Sequence, residues 1–302
     1  MNDAQDSPDF RAGFVAVVGR PNAGKSTLTN ALVGQKIAIT ANQPETTRKV
    51  IRGILSNQHG QLILVDTPGL HRPRTLLGER LNDMVHETLA DVDAVALCLP
   101  ADEKLGPGDE FLLRLVEKNH APIVAVVTKE DKVSRDELAA KLVAVDQFGD
   151  FEQIVPVSAL EDRQLDELTD ELIALMPLSP ALYPTDTVTD ESDEDRIAEY
   201  IREAALDGVR DELPHSIAVT IDEIIPPEKK GGRTRIHASL YVERNSQKGI
   251  VIGHRGSRLR EVGKRARLQI QDLLGTRVYL DLYVKVAKEW QRNPKLLGRL
   301  GF

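Results

Sequence analysis

One short stretch near the start of the chain has the residue types and spacing needed to hold a chain of phosphates. Residues 19–27 read G-R-P-N-A-G-K-S-T, which matches the pattern G-x-x-x-x-G-K-S. Its glycines let the backbone curl so that successive amide groups point at phosphate oxygens. Lys25 would neutralise the β- and γ-phosphates, and the Ser26 hydroxyl would be a ligand of Mg²⁺. We predict that this loop binds a nucleotide through Gly19, Asn22, Ala23, Gly24, Lys25, Ser26 and Thr27.

Two further loops carry groups that can sense a γ-phosphate. The polar stretch 35–49 contains P-E-T-T-R, and we assign to Thr47 the hydroxyl that binds Mg²⁺ while the triphosphate is present. The second loop, D-T-P-G, directly follows an apolar run of strand length. There Asp66 would hold Mg²⁺ through water, and the Gly69 amide would contact the γ-phosphate. The predicted metal site is therefore Ser26, Thr47 and Asp66, and Lys25, Thr47 and Gly69 are predicted to be catalytic.

Two loops farther along the chain could recognise a guanine base. A strand-length apolar run ends in T-K-E-D at residues 128–131, which is similar to N-K-x-D. Asp131 can accept hydrogen bonds from guanine N1–H and the exocyclic amine, whereas adenine offers neither donor and would leave the carboxylate unpaired. Lys129 would lie along the base, and Ser158 and Ala159 form a V-S-A turn whose backbone amide could meet guanine O6. Taken alone, Asp131 could equally be an acidic residue at a helix N-terminus.

These loops need a scaffold that brings them to one edge, and the pattern of the first 178 residues provides it. Apolar runs of strand length occur at 14–18, 50–55, 62–65, 94–99, 123–127 and 151–155. They alternate with helical patterns such as 76–90 and 108–119, where Phe111, Leu112, Leu115 and Val116 are predicted to share the buried face. The alternation predicts a doubly wound, mostly parallel α/β sheet, which binds ligands outside the carboxyl ends of its strands.

The second part of the chain has a different order of elements and a second short glycine motif. We predict a helix from 192, strands at 217–225 and 236–242, a helix, the motif G-H-R-G, a helix, a strand at 278–284 and a last helix from 285. The motif's glycines allow a nucleotide backbone to approach closely, as in RNA-binding KH loops. A tight turn without a ligand is the alternative. The predicted RNA-binding residues are Gly253, His254, Arg255, Gly256, Arg258, Arg260 and Lys264.

Charge is divided unevenly along the chain, whose formal net charge is −8. Residues 228–302 hold 18 Lys and Arg against six Asp and Glu, and the remainder holds 21 against 41. This asymmetry indicates a polyanionic partner for the basic part, since a merely solvated surface would mix the two signs. The lone Cys98 excludes an intramolecular disulfide, and no apolar run approaches transmembrane length, so we predict a cytoplasmic protein.

The motifs taken together resemble a known family. G-R-P-N-A-G-K-S, T-T-R, D-T-P-G-L, T-K-x-D and V-S-A resemble a Ras-like GTPase of the translation-factor-related type, and P-N-x-G-K-S with D-T-P-G-L-H is similar to the Era GTPases. The segment around G-H-R-G resembles a type II KH domain, and residues 288–302 resemble the Era tail. The implied organisation is a disordered tail at 1–10, a GTP-binding domain at 11–178, a linker at 179–191, and a KH domain with a C-terminal helix at 192–302.

The resemblance also implies cofactors, partners and a role. It implies GTP, GDP and Mg²⁺ as ligands, slow intrinsic hydrolysis, and a monomer that binds 16S ribosomal RNA near its 3′ end during assembly of the 30S subunit. Two positions depart from the Ras-like pattern. Thr128 replaces the usual Asn and can make one of its two bonds, and Leu70, shared with the Era group, replaces the Gln that orients the attacking water. In related GTPases the residue at Asn22 helps to hold an activating K⁺ ion, which adds Asn22 to the predicted catalytic residues.

Three other readings stay open at this point. The chain could be an RNA-binding switch whose turnover is too slow to matter. It could be a signalling or cell-cycle GTPase at a membrane surface, with its basic part on anionic lipid at the inner face of the cell membrane. An ATPase is disfavoured because Asp131 would reject adenine.

Overall fold

The computed structural model describes residues 9–40, 47–70, 73–209, 213–229 and 231–302. These residues divide into two compact units. The first draws on 9–38, 47–70 and 81–190, and the second on 39–40, 73–80 and 191–302. None of the helices in the described ranges combines the length and the apolar character needed to cross a membrane.

A six-stranded sheet forms the centre of the first unit. Its strands are β1 (Arg11–Gly19), β2 (Ile51–Ser56), β3 (Gly60–Asp66), β4 (Ala94–Pro100), β5 (Ile123–Thr128) and β6 (Gln153–Pro156). The order is β2-β3-β1-β4-β5-β6, with β2 antiparallel to β3 and every other neighbouring pair parallel. The predicted doubly wound, mostly parallel sheet is therefore confirmed, and β1, β3, β4 and β5 all direct their carboxyl ends to one edge.

Helices follow the strands and cover both faces of this sheet. They are α1 (Lys25–Val33), α2 (Leu76–Ala90), α3 (Pro107–Val116), α4 (Arg135–Asp146) and α5 (Leu165–Leu175). Because alternate residues of a strand point to opposite faces, Val15 and Val17 pack with side chains of α1 and α5, whereas Ala16 and Val18 pack with α2, α3 and α4. The strands are apolar on both faces for this reason.

The predicted buried face of α3 is wrong at one position. Leu112, Leu115 and Val116 are buried as expected, but Phe111 is 52% exposed and Leu113 takes its place in the core. Five residues at 3.6 residues per turn put Phe111 about 140° around the helix from Val116. The buried face runs instead from Leu115 over Leu112 and Val116 to Leu113, and Phe111 lies beyond the Leu115 edge of that face.

The second unit is a three-stranded sheet with helices on one face. Its strands are β7 (Ala218–Ile225), β8 (Arg233–Val242) and β9 (Arg277–Val286), in the order β7-β8-β9. β8 is antiparallel to β7, with a bulge between Ile221 and Glu223, and parallel to β9. The helices are α6 (Asp193–Leu206), α7 (Leu213–Ser216), α8 (Asn245–Ile252), α9 (Ser257–Leu274) and α10 (Pro294–Arg299). Apolar residues of α6, α8 and α9 form one core with Ile236, Ala238 and Leu240 of β8.

The C-terminal segment differs from the helix predicted from residue 285. β9 continues to Val286, and α10 begins only at Pro294. Proline fits the first turn of a helix, and the Asn293 side chain accepts hydrogen bonds from the amides of Lys295 and Leu296. The pair Asn293-Pro294 is therefore the sequence signal at which this helix begins.

Two stretches at the ends of the first unit differ from the sequence-based picture. Residues 1–8 of the predicted tail lie outside the described residues, whereas Phe10 is buried and its carbonyl accepts a hydrogen bond from the Ser179 amide. In the predicted linker, the Gln61 side chain binds the backbone of residues 182 and 183, and the Ile54 amide donates to the Val188 carbonyl. Residues 179–190 are thus held along β2 and β3.

Candidate functional site

The phosphate loop joins β1 to α1 in a strongly curled backbone. Asn22 and Gly24 both lie in the left-handed region, with φ of 63° and 90°. At Gly19 a Cβ atom would lie 2.9 Å from the Cys98 carbonyl oxygen, so β4 leaves no room for a side chain there. Lys25, Ser26 and Thr27 are the first residues of α1, whose opening turn carries amide groups without helical partners. The loop thus has the backbone of an anion site.

Lys25 is a buried cation at the centre of this loop. Its Nζ donates hydrogen bonds to the carbonyls of Gly19 and Arg20, each at 3.1 Å. Burial lowers the pKa of Lys25, and the nearby Asp66 carboxylate partly opposes that shift. A buried ammonium group whose hydrogen bonds go to neutral carbonyls is arranged to receive an anion.

Three oxygen-bearing side chains from separate loops meet beside Lys25. The Ser26 hydroxyl donates to Asp66 Oδ2 at 2.7 Å and lies 3.0 Å from Thr47 Oγ1, which in turn donates to Asp66 Oδ2 at 3.3 Å. Asp66 is fully buried, and its Oδ1 has no hydrogen-bond partner among the described residues. Burial raises the pKa of Asp66, while Lys25, Ser26 and Thr47 pull it down. Hard oxygen donors with an orphaned carboxylate oxygen fit a Mg²⁺ ion.

The loop after β3 lies against the phosphate loop. The Thr67 hydroxyl donates to the Val17 carbonyl at 3.0 Å, which ties the start of this loop to β1. Gly69 is buried, and a Cβ atom there would lie 3.2 Å from Pro21 Cγ. Leu70 packs against the core on the α2 and α3 side of the sheet. Gly69 is therefore within reach of the phosphate loop, and Leu70 offers no polar group to a water molecule.

The predicted base-reading loop is joined both to the phosphate loop and to the V-S-A turn. The Thr128 hydroxyl donates to the Ala23 carbonyl at 2.7 Å, and the Ser158 hydroxyl donates to Asp131 Oδ1 at 2.6 Å. Ser134 caps α4, whereas Asp131 lies in the first turn of a short 3-10 helix, Glu130–Lys132. Its carboxylate is oriented by the Ser158 hydroxyl of the V-S-A turn.

Sequence reasoning missed an acidic network that links two of these loops. Arg20, inside the phosphate loop, donates through Nε to the buried Asp109 at 2.7 Å and through Nη2 to Glu103 at 2.8 Å. Glu103 and Asp102 also lie 3.7 Å from the Lys129 ammonium. The signal that could have revealed this network is the acidic cluster that follows β4, at the same sheet edge as Arg20.

The G-H-R-G motif forms a tight turn between α8 and α9. Gly253 and Gly256 have φ of 73° and 76°, and Arg255 is also left-handed at 49°. The side chains of His254 and Arg255 are exposed, as are those of Arg260 and Lys264 on α9. This arrangement leaves both the turn and the basic face of α9 accessible to a nucleic acid.

Arg258 differs from the other predicted RNA-binding residues. Its Nη2 donates to the carbonyls of Ala205 at 3.2 Å and Asp207 at 2.6 Å, at the carboxyl end of α6. Partial burial lowers the pKa of this guanidinium. In the structure Arg258 therefore holds the end of a helix within its own domain.

Comparisons with known proteins match both units. A family model described as a 50S ribosome-binding GTPase matches residues 14–129, and one for the KH domain matches residues 212–291. GTPase Era of Mycobacterium sp. (strain KMS) is 61% identical over 298 residues, which are 97% of this chain and 99% of that protein. GTPase Era of Mycobacterium tuberculosis (strain ATCC 25177 / H37Ra) is 60% identical with the same coverage.

Two solved structures are similar to the chain over nearly its full length. One is a variant of Aquifex aeolicus Era bound to GDP and AlF4⁻, with a TM-score of 0.92 and 35% identity, covering 96% of this chain and 99% of that one. The other is Era in complex with MgGDPNP and nucleotides 1506–1542 of 16S ribosomal RNA. It has the same TM-score and sequence identity, and the match covers 97% of this chain and 99% of that one.

Proposed function

The chain belongs to the Era family of GTPases, and from this premise we propose that it binds 16S ribosomal RNA near its 3′ end and assists assembly of the 30S subunit. Residues 11–178 form the GTP-binding domain, 179–191 the connection, and 192–302 the RNA-binding domain. The 16S fragment in the Era complex supports this class of RNA. The observation that best supports a nucleotide-dependent switch is that the side chains of Ser26, Thr47 and Asp66 are hydrogen-bonded to one another. A residue that senses the γ-phosphate must reach the metal site, and Thr47 does so.

Guanine nucleotide lies along the carboxyl ends of the parallel strands. The phosphate loop and Lys25 hold the phosphates, and Asp131 accepts from guanine N1–H and the exocyclic amine. The Ser158 hydroxyl fixes the direction of the Asp131 carboxylate, and Thr128 fixes the distance between the two loops. Ser26, Thr47 and Asp66 would hold a Mg²⁺ ion that comes with the nucleotide, and that ion would neutralise charge on the β- and γ-phosphates.

Hydrolysis needs positioning and charge neutralisation from the chain's own groups. Water attacks the γ-phosphorus, the bond to the bridging oxygen of GDP breaks, and inorganic phosphate leaves. Lys25 and the Gly69 amide stabilise the charge that spreads over the transferred group. The side chain of Leu70 cannot orient water, so the intrinsic rate is slow. Asn22, exposed in the phosphate loop, would help to hold an activating K⁺ ion near the phosphates.

The base-specificity half of the proposal is tested by Asp131→Asn. The Asn side-chain amide group places a hydrogen-bond donor opposite the donors of guanine, so binding of GTP falls. Xanthine has a carbonyl acceptor in place of the exocyclic amine, so binding of xanthosine triphosphate rises. The measurement is the dissociation constant of each nucleotide for wild type and variant, by competition with a fluorescent GDP analogue. Unchanged guanine selectivity would refute the role of Asp131.

The RNA half of the proposal is tested at Arg255. A substitution of the motif's first glycine, such as Gly253→Asp, would not test RNA contact alone. A Cβ atom at Gly253 would lie 2.7 Å from the Cβ of Arg258 and would deform the turn itself. Arg255→Glu changes an exposed charge and leaves the turn in place. We expect weaker binding of a labelled RNA of nucleotides 1506–1542, with GTP binding unchanged, in a gel shift. Wild-type affinity in the variant would contradict an RNA contact at this turn.

Peripheral association with the cell membrane stays a prediction of the sequence. Flotation of the protein with vesicles of anionic lipid, run beside the RNA gel shift, tests it. Flotation that Arg255→Glu abolishes while RNA binding persists would favour the membrane-surface alternative over the ribosomal one.

A further inference from the structure

One face of the second unit's sheet is exposed at the start of β8 and along β9, although β8 is buried on that face from Ser239 onward. Along β8 and β9, alternate residues such as Ile236, Ala238 and Val278 point into the core. The residues between them point to the opposite side. We call five of these the arginine–tyrosine face: Arg233, Arg235, Arg277, Tyr279 and Tyr283. All five side chains are exposed.

The two tyrosines of this face are large apolar surfaces left in water. Tyr279 is 50% exposed and Tyr283 is 52% exposed. They stand four residues apart on β9, so their Cα atoms are about 13 Å apart on the same side of one strand. Among the strands of the described residues, β9 lies at the edge of this sheet and pairs with β8. Flat rings at this spacing can each receive a separate planar group.

Positive charge surrounds the first of these rings. Arg233 lies opposite Arg277 in the β8–β9 register, and Arg235 lies opposite Tyr279. Like charges directly opposite each other in a sheet repel, so this end of the face is stabilised by an anion. Among the described residues, none of the three arginines forms an ion pair within the chain. The patch therefore has charge to offer to a partner.

The acidic residues of the same side lie beyond Tyr279 along the sheet, with Asp281 standing between Tyr279 and Tyr283, and they are largely engaged. Asp222 accepts a hydrogen bond from Ser239 and lies 3.6 Å from the Lys285 ammonium. Asp281 lies 3.6 Å from His237 and accepts a hydrogen bond from the Tyr283 hydroxyl. Glu223 sits at the β7 bulge, opposite His237. The uncompensated positive charge is thus concentrated at the Tyr279 end.

We propose that the arginine–tyrosine face is a second contact surface for single-stranded RNA, separate from the G-H-R-G turn. Bases stack on Tyr279 and Tyr283, and the phosphates at the Tyr279 end of the face meet Arg233, Arg235 and Arg277. Stacking on an aromatic ring tolerates any base, because every base has a π-face, and arginine adds both charge and a planar surface. The inference rests on the proposed RNA-binding function of this domain and gives that domain a sequence-tolerant surface in addition to the turn.

Crosslinking followed by peptide mapping locates this contact directly. The probe is a long oligouridylate in which 4-thiouridine replaces some uridines, irradiated with the full-length protein. Trypsin cuts after Arg277 and Lys285, so both tyrosines fall in the peptide 278–285, whereas the G-H-R-G turn begins in the peptide 249–255. We expect crosslinks in peptide 278–285. Crosslinks confined to the turn peptide, or none in 278–285, would overturn the proposal.

Matched variants then measure the contribution of the rings. Tyr279→Ala weakens binding of the oligouridylate about tenfold, which is the size of one lost base stack, and Tyr279→Phe retains wild-type affinity. Phe111→Ala is the control, since Phe111 is equally exposed but lies on the GTP-binding domain, and it leaves affinity unchanged. Arg235→Ala lowers the slope of log affinity against log salt by about 0.7. Wild-type affinity in Tyr279→Ala would overturn the proposal.

The same variants separate this inference from the proposed function. If wild type fails to bind the 16S fragment, the RNA-binding function itself fails. If wild type binds that fragment and Arg255→Glu weakens it, but Tyr279→Ala leaves oligouridylate binding unchanged, only the second surface fails. Loss of flotation with anionic vesicles in Tyr279→Ala, with RNA binding intact, would make the face a lipid surface and would likewise overturn the proposal.

Discussion

Thr128→Val removes one hydrogen bond from the nucleotide site while it keeps the shape of the side chain. The Thr128 hydroxyl donates to the Ala23 carbonyl at 2.7 Å, and Thr128 is only 3% exposed. A buried polar group that loses its partner costs about 1–3 kcal/mol. Valine fills the same space, so this cost comes from the missing bond rather than from a cavity.

The bond joins the end of β5 to the phosphate loop, so its loss separates the base-reading and phosphate-binding halves of the site. If the whole cost appears in nucleotide binding, the dissociation constant of GDP rises by between about fivefold and 150-fold. The assay is titration with a fluorescent GDP analogue in the presence of Mg²⁺. Thermal unfolding without nucleotide shows how much of the cost falls on the fold instead.

Thr128→Ser is the matched control, because it keeps the hydroxyl and removes only a methyl group. We expect the serine variant to bind GDP much as wild type does. The reasoning is refuted if the valine variant binds GDP with wild-type affinity, or if the serine variant loses as much affinity as the valine variant.

Two further outcomes are expected. We expect GTP hydrolysis to be faster in K⁺ than in Na⁺, and Asn22→Ala to remove the difference, if its side chain has the K⁺-binding role proposed above. Equal hydrolysis rates of wild type in the two salts would contradict this role. Burial raises the pKa of Cys98 to about 12, so in the folded protein its side chain remains a protonated thiol at mildly alkaline pH. We therefore expect iodoacetamide to label Cys98 only after the protein is unfolded. Rapid labelling of the native protein would contradict the burial of this side chain.

Local rules were sufficient for the order of strands in both units, whereas the short helix α7 was not predicted. All six strands of the first sheet were predicted from apolar runs, and their loops fell at the carboxyl ends as a parallel sheet requires. In the second unit the amphipathic pattern of α9 and the alternation of β7 and β8 placed the G-H-R-G turn correctly between two helices. A hydrophobic period depends on neighbouring residues alone, so a single sequence reveals it.

Positions that depend on distant partners were the ones that sequence reasoning missed. Phe111 fits the apolar pattern of α3 but lies outside the strip that the sheet covers. Arg258 resembles its basic neighbours on α9 in sequence, yet its guanidinium donates hydrogen bonds to backbone carbonyls at the carboxyl end of α6. Arg20 occupies a variable position of the loop motif, but its side chain is held by a hydrogen bond to Asp109, which is far away in sequence. In each case the deciding contact comes from another element.

The sequence alone determined which atoms can perform the chemistry: a glycine loop with Lys25, hydroxyl and carboxylate groups, an Asp131 carboxylate that can accept hydrogen bonds from guanine, and a basic second part. Only the tertiary structure decided how these groups meet, with Thr47 brought onto Ser26 and Asp66, and Thr128 bonded across to Ala23. It also decided that Tyr279 and three arginines share the exposed part of one sheet face. The physical reason is that residue type fixes what a group can donate or accept, whereas burial and strand register fix which partner it finds.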